Sequence, residues 1–371
     1  MSATGDTLTL RQLNRATLAR QMLLEREDIP IASAVERLCG IQAQEARPPF
    51  VGLWTRVAGF RAEDLHSLLH KRGVVRATFL RGTLHLLAAR DYQAFRTAIQ
   101  PVLDEALKVL GSRARGLDVE QVLPAAIALY EQEPRNFNDL RGLLQARFPD
   151  VNERALGYTV RTRLPLVMVP TDDRWAFPSV ADFTLAANWL STPLSEDGSP
   201  DELVRRYLAA FGPATAADVQ TWSGLRGVKE IIARLRPELI TVRDQNDREL
   251  FDLPDAPRPD GDVPAPARFL PEFDNLVLSH ADRTRVIADE HRGHVVTKNL
   301  RVRASVLHDG FACGIWDLER KKTSVTLRVT PFRRLPAAAV RELTEEATAL
   351  LEFLEPDAVS TGVRFEEPVG P

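Results

Sequence analysis

One pattern recurs three times along this chain of 371 residues. A run of helical segments is followed by two short strand segments around a polar turn. The clearest copy opens with "DELVRRYLAAFGPATAADVQTWSGL", which reads as helix, Gly-Pro turn, helix, with Thr215 placed to cap the second helix. "VKEIIARLRPE" then supplies a third helix, and "LITVRDQNDRELFDL" two strands around a polar turn. Another copy reads "VEQVLPAAIALYEQE", "NFNDLRGLLQARF" and "NERALGYTVRTRL". "LPLVMVPTDDRWAF" follows as its hairpin, turning at Thr171-Asp172-Asp173. The N-terminal copy begins at Leu8-Thr9-x-x-Gln12-Leu13, where Thr9 and Gln12 form a capping box and Leu8 staples to Leu13. That helix is expected to run to about Arg26. "IASAVERLC", stopped by Gly40, and "AEDLHSLLHKR" are the next two helices. "GVVRATFLRGTLHLLAARDY" is a hairpin centred on Arg81-Gly82.

Self-similarity on this scale means a repeated supersecondary unit, and three helices plus a hairpin make a winged helix. Residues 253–266, "LPDAPRPDGDVPAP", read as a linker. Beyond them "ASVLHDGFACGIWDLERKKTSVTLRVTPF" offers three strands, the first two joined at Asp309-Gly310, and "AAAVRELTEEATALLEFL" a closing helix. The expected fold is therefore α+β, with three tandem winged helices and a small C-terminal sheet around a concave face. The expected units are 1–115, 116–198 and 199–262, with a β-rich region over 263–371.

Charge bears on what such units could hold. The net charge is -3, but residues 1–116 carry 17 Lys+Arg against 11 Asp+Glu, and residues 276–334 carry 12 against 6. Each segment is thus +6, set against -9 over 117–275 and -6 over 335–371. Two basic surfaces on an acidic body suit a protein that grips phosphates at chosen places. Only six of the 48 basic residues are lysines, and arginine suits phosphate contact.

Several classes are excluded. The N-terminus has neither the basic nor the apolar region of a signal peptide, and no apolar run reaches the length of a membrane span. Cys39 and Cys313 form no C-x-x-C pair, so a reduced cytoplasm is expected and a thiolate zinc site is not. His291 and His294, near Asp289 and Glu290, lack metal-site spacing. Phosphate-cradling glycine loops and dinucleotide fingerprints are absent, so no cofactor is expected.

The pieces "GIQAQ" with "PFVGLWTR", "RGTLHLLAARDY", "RYLAAFGPATAADVQTWSGL", "LPEFDNLVLSHADRTRVI" and "VLHDGFACGIW" span nearly the whole chain. In that order they resemble the winged helix DNA glycosylases, the AlkZ-like and YcaQ-like family. The family's catalytic motif is Gln-x-Gln in the AlkZ-like branch and Gln-x-Asp in the YcaQ-like branch. Gln42 and Gln44 match the former. The resemblance implies excision of N7-alkylated purines from double-stranded DNA and, in some members, unhooking of interstrand crosslinks. Some enzymes of the branch protect antibiotic producers from their own alkylating products.

The chemistry suits these residue types. A purine alkylated at N7 is cationic and already a good leaving group. The enzyme must chiefly place a water at C1′, which two amides on one side of an extended strand could do. Glu45 would face the other way and is a weaker candidate. Arg81, Thr83 and His85 alternate along one expected strand face and are candidates for the same pocket, as are Phe50 and Trp54. Arg76, Arg283, Arg285, Lys298, Arg301, Arg303, Lys321 and Lys322 are candidate DNA contacts. Without a lysine near Gln42, a monofunctional hydrolase is expected, acting as a monomer. The rival reading is a winged-helix regulator that binds duplex DNA without chemistry; against it stands the lack of a symmetric dimer helix.

Overall fold

The computed structural model describes residues 7–299, 301–322 and 324–369. The ends of the first and last expected units lie outside these. The chain is α+β, with many short helices and three small sheets. Local signals place the first elements well. Thr9 and Gln12 form the capping box, and Leu8 and Leu13 pack in one apolar cluster. The helix is shorter than expected, Leu10–Arg20, because Met22 takes a φ of 54° and turns the chain. Thr7–Leu8 then reaches across the molecule to pair in parallel with Ile240–Asp244.

Gly40 ends the next helical stretch, Ile31–Arg37, with a φ of 84°. That positive φ favours glycine, and a Cβ there would also crowd Cδ2 of Leu87 at 2.7 Å. The chain leaves it extended over Ile41–Gln42. Pro48–Trp54 is a helix that the sequence reading does not assign, and Ala62–His70 the expected one. The hairpin forms from Val74–Thr78 and Leu84–Ala88. Its tip is a 3-10 turn, Leu80–Gly82, with Arg81 at φ 56° and Gly82 at φ 71°. Arg81 therefore lies in the turn and not on the strand face with His85.

Val119–Gln132, Phe137–Arg147 and Glu153–Arg163 are the three helices expected next. The hairpin after them differs. Thr171 and Asp173 do turn the chain, but the returning strand is Phe183–Leu185, not the residues just past the turn. Pro178 lies in the skipped segment and has no N–H for a ladder. A five-stranded sheet links the two hairpins, with Ala77 opposite Val167 and Ile41–Gln42 at the far edge against Leu84–Ala88.

Asp201–Phe211, Ala216–Ser223 and Val228–Leu235 follow, with Thr215 and Asp218 forming a second capping box. Their hairpin is Ile240–Asp244 with Glu249–Asp252. The linker carries no helix or strand but lies against the first helix, where Arg11, Arg15 and Arg20 donate to its carbonyls. The C-terminal sheet has five strands, and Asp309 and Gly310 form its tight turn, both at positive φ. Ala337–Leu354 packs on one face of that sheet, and Ser360–Phe365 returns as a parallel edge strand. Among the described residues no helix is long and apolar enough to cross a membrane.

Candidate active site

Gln42 and Gln44 lie where the edge strand leaves the five-stranded sheet. Gln42 pairs opposite His85, and the backbone N–H of Ala43 still donates to the carbonyl of Leu84 at 2.7 Å. The two amides are not equivalent. Gln42 is only 6% exposed, whereas Gln44 is exposed at the mouth of a cleft of about 610 Å³. That cleft is walled by Arg76, Arg161, Trp175, Phe177 and Phe183.

Two arginines hold this segment. Nε of Arg76 donates to the carbonyl of Ala43 at 2.9 Å, and Nη2 to that of Gln44 at 3.2 Å. One planar fork thus grips two successive peptide oxygens, and its guanidinium lies 4.9 Å over the ring of Phe177. Burial, then the nearby Arg161, lowers the Arg76 pKa to about 10, which leaves it charged at neutral pH. Arg76 is thus a clamp on the glutamine loop, with Nε and Nη2 both taken by peptide oxygens.

Arg81 acts on the side chain. Its Nη2 donates to Oε1 of Gln42 at 2.9 Å, and Nη1 to the carbonyl of Trp222. A guanidinium only donates, so the atom facing it must be the amide oxygen. The Nε2 group of Gln42 is thereby left to donate elsewhere. Among the described residues Oε1 of Gln44 meets only the backbone N–H of Leu84, at 3.4 Å. The pair is therefore polarised, with a fixed donor at Gln42 and a loosely held amide at Gln44. Burial, and then Arg283, lowers the Arg81 pKa to about 10.

Other expected site residues separate into those near this segment and those elsewhere. Arg283 is partly buried beside Arg81 and Arg292, with Nη1 lacking a hydrogen-bond partner among the described residues. Arg301 is exposed and stands 3.6 Å from the carboxylate of Glu45, which ties the second basic segment to the glutamine loop. Lys298 and Arg303 are exposed nearby in sequence. Lys321 and Lys322 are exposed at another turn, in a depression shared with Arg174, Glu355 and Asp357. Thr83 closes the hairpin turn, its hydroxyl donating to the carbonyl of Leu80 at 3.1 Å.

Four expectations need correction. Arg285 is buried, donating to the carbonyl of Pro213 at 2.9 Å, so it reaches no DNA. His85 is fully buried, with Nδ1 3.1 Å from the carbonyl of Thr83. Burial, and then Arg81, lowers its pKa to about 3, so it stays neutral. Phe50 packs in the core against Trp175. Trp54 stacks on Phe353 beneath the guanidinium of Arg26. Apart from these corrections, His291 and His294 stack on Phe332.

The sequence reading also misses a brace. Glu272 pairs with Arg47 at 2.8 Å, Asp274 with Arg56 at 2.9 Å, and Asn275 donates to the carbonyl of Gly40 at 3.1 Å. All three come from "PEFDN", whose acid-amide spacing was the available signal. Arg161, which lines the cleft, lay in a segment of net negative charge and gave no such signal.

The segment thus carries two neutral amides braced by arginines, with the neighbouring carboxylate of Glu45 turned to Arg301. Residues 35–353 match a family model described as DNA glycosylase AlkZ-like. The chain belongs to the AlkZ-like DNA glycosylase family, enzymes that hydrolyse N-glycosidic bonds, and this decides against the non-catalytic regulator. It is 26% identical over 358 residues to the interstrand DNA cross-link repair glycosylase of Streptomyces sahachiroi, covering 90% of this chain and 94% of that protein. The solved Streptomyces sahachiroi DNA glycosylase AlkZ superposes with a TM-score of 0.75 at 22% identity, over 97% of this chain and 100% of that one.

Proposed function

We propose that the chain excises N7-alkylated purines from duplex DNA, with Gln42 and Gln44 holding the attacking water at C1′ of the sugar. The observation that carries this reading is the bracing of the glutamine segment by Arg76 and Arg81 at the mouth of an arginine-walled cleft. Neither amide is a strong base, and the one carboxylate at hand, Glu45, is exposed and faces Arg301. Such a site suits a base that departs without much help, as a cationic alkylpurine does. Nε2 of Gln42 would donate to the water and the amide of Gln44 would accept from it, so orientation supplies much of the rate. The relative's name extends the substrate range to crosslinked bases, which the same chemistry serves one glycosidic bond at a time.

In this reading the three helix-and-hairpin units are winged helices at 1–115, 116–198 and 199–262. With the 263–371 region they form one concave face around the duplex. The Arg301–Glu45 and Arg81–Arg283 proximities support a shared face for the two basic segments. The protein acts as a monomer in the cytoplasm. The test is abasic-site formation on duplex DNA carrying one N7-methylguanine, read on a denaturing gel after alkaline cleavage. Strand scission with enzyme and none without it is expected. Tight binding without scission would overturn the proposal.

A further inference from the structure

Beyond the cleft at Gln44 lies a second cavity, about 330 Å³ in volume, at the low end of the range that encloses small ligands. Four arginines rim it: Arg113, Arg141, Arg154 and Arg161, over Phe137 and Tyr158. It shares Arg161 and Phe137 with the first cleft, so the two adjoin. The charge is uncompensated. Arg141 has one long contact to Glu153 at 3.8 Å, and among the described residues the other three have no carboxylate within salt-bridge reach. Arg154, Tyr158 and Arg161 follow one face of the Glu153–Arg163 helix at spacings of four and three residues. Gly157 lies between them with no side chain. A Cβ there would come within 2.8 Å of Cγ and Cδ of Arg141, which crosses the helix at that point.

Cations gathered without counter-charges repel one another, and burial already lowers the pKa of Arg161. An anion in the cavity would relieve both costs. An inorganic anion has no use for the apolar floor. A nucleotide uses both features, its phosphate on guanidinium groups and its base on an aromatic face.

We propose that this cavity is a second nucleotide subsite. It takes one unstacked nucleotide of the bound DNA, with its phosphate on Arg113 and Arg154 and its base against Tyr158 and Phe137. The proposal rests on the reading of the chain as a DNA-acting enzyme, but not on the roles given to Gln42 and Gln44. It would continue the strand path outward from the lesion and favour DNA whose stacking is already broken.

The test measures affinity by fluorescence anisotropy, across a salt series, for a fully paired duplex and for the same duplex with a single-nucleotide bulge. Arg113 and Arg154 are exposed, so the Arg113→Ser/Arg154→Ser protein should fold. It is expected to lower the slope of log affinity against log salt by about one on the bulged DNA, for the one phosphate that both arginines hold, and by less on the paired duplex. Tyr158→Leu keeps an apolar side chain but removes the stacking surface. It is expected to weaken bulged-DNA binding by about fivefold or more while intact duplex changes by less than about twofold. An unchanged salt slope in the double variant would overturn the subsite. So would equal losses on both DNAs from Tyr158→Leu, which would leave only a phosphate contact. Abasic-site formation on N7-methylguanine DNA, run in parallel, separates this failure from that of the glycosylase reading.

Discussion

Arg81→Met tests whether the Gln42 amide must be held. The wild-type guanidinium donates to Oε1 of Gln42 at 2.9 Å and to the carbonyl of Trp222. Hydrogen bonds from a charged donor contribute about 1.5–3 kcal/mol each. Against them stands the cost of keeping the charge. Burial and Arg283 lower the pKa from 12.5 to about 10, on the order of 3 kcal/mol at most and less where solvent reaches the group. Arg81 also holds a left-handed φ of 56°, about 1–2 kcal/mol of strain that methionine would inherit. The two bonds contribute about 3–6 kcal/mol against a cost of at most about 3 kcal/mol, and the strain is common to both proteins, so the variant should lose about 0–3 kcal/mol of unfolding free energy. The reaction has no such offset. Without Arg81 the amide of Gln42 can rotate, and losing one orienting interaction should slow excision by about tenfold to a hundredfold. The assay is single-turnover release of N7-methylguanine with enzyme in excess, beside a thermal melt. A folded Arg81→Met protein with the wild-type rate would refute the reasoning. A rate loss matched by gross destabilisation would make Arg81 merely structural.

Replacing both Arg301 and Arg303 by serine should weaken duplex affinity and flatten its salt dependence, with single-turnover excision at saturating enzyme changing much less. Unchanged binding across a salt series would remove both from the DNA surface. Gln44→Asp should keep part of the activity, since a carboxylate also accepts from water, and the exposed position of Gln44 should leave its melting temperature within about a degree of wild type. Inactivity in a folded Gln44→Asp protein would contradict that role. His85 has a folded pKa of about 3 against an ordinary value of 6.5, so its neutral form supports the fold fully above pH 6.5 and progressively less as pH falls toward 3. Acidification to about pH 5 should cost about 2 kcal/mol through this group, and His85→Leu should lose that share of the acid sensitivity in pH-dependent melts. An equal slope in wild type and variant would place the sensitivity elsewhere.

Caps and turns were the most legible features, because a capping box or an Asp-Gly turn is decided by residues adjacent in sequence. Thr9, Thr215 and Asp309-Gly310 adopt the expected local structure. Pairings between distant segments were not legible. The bond between hairpins at Ala77 and Val167, and the reach of Thr7–Leu8 to Ile240–Asp244, depend on which edges tertiary packing leaves open. The glutamine segment was legible as extended chain only over Ile41–Gln42, since the chain bends at Gln44. The difference between buried Gln42 and exposed Gln44 was not, because it arises from the edge pairing with Leu84–Ala88. Charge misled in both directions. Arg285 belongs to a basic stretch but is buried, while the arginine groove at Arg154 and Arg161 lies in a segment of net negative charge.

The central claim is that Gln42 and Gln44 act together on one water. The direct measurement is single-turnover release of N7-methylguanine from duplex DNA by the Gln42→Ala/Gln44→Ala protein, with folding and DNA affinity measured alongside. Gln42→Ala leaves the Nη2 of Arg81 without its acceptor, so a stability loss of about 1–2 kcal/mol is expected, short of unfolding. DNA affinity should persist, because neither side chain is charged. Each single variant should lose about tenfold to a thousandfold in rate, and the double should lose less than the product of the two, as groups serving one water do. Release at the wild-type rate by the folded double variant would contradict the account.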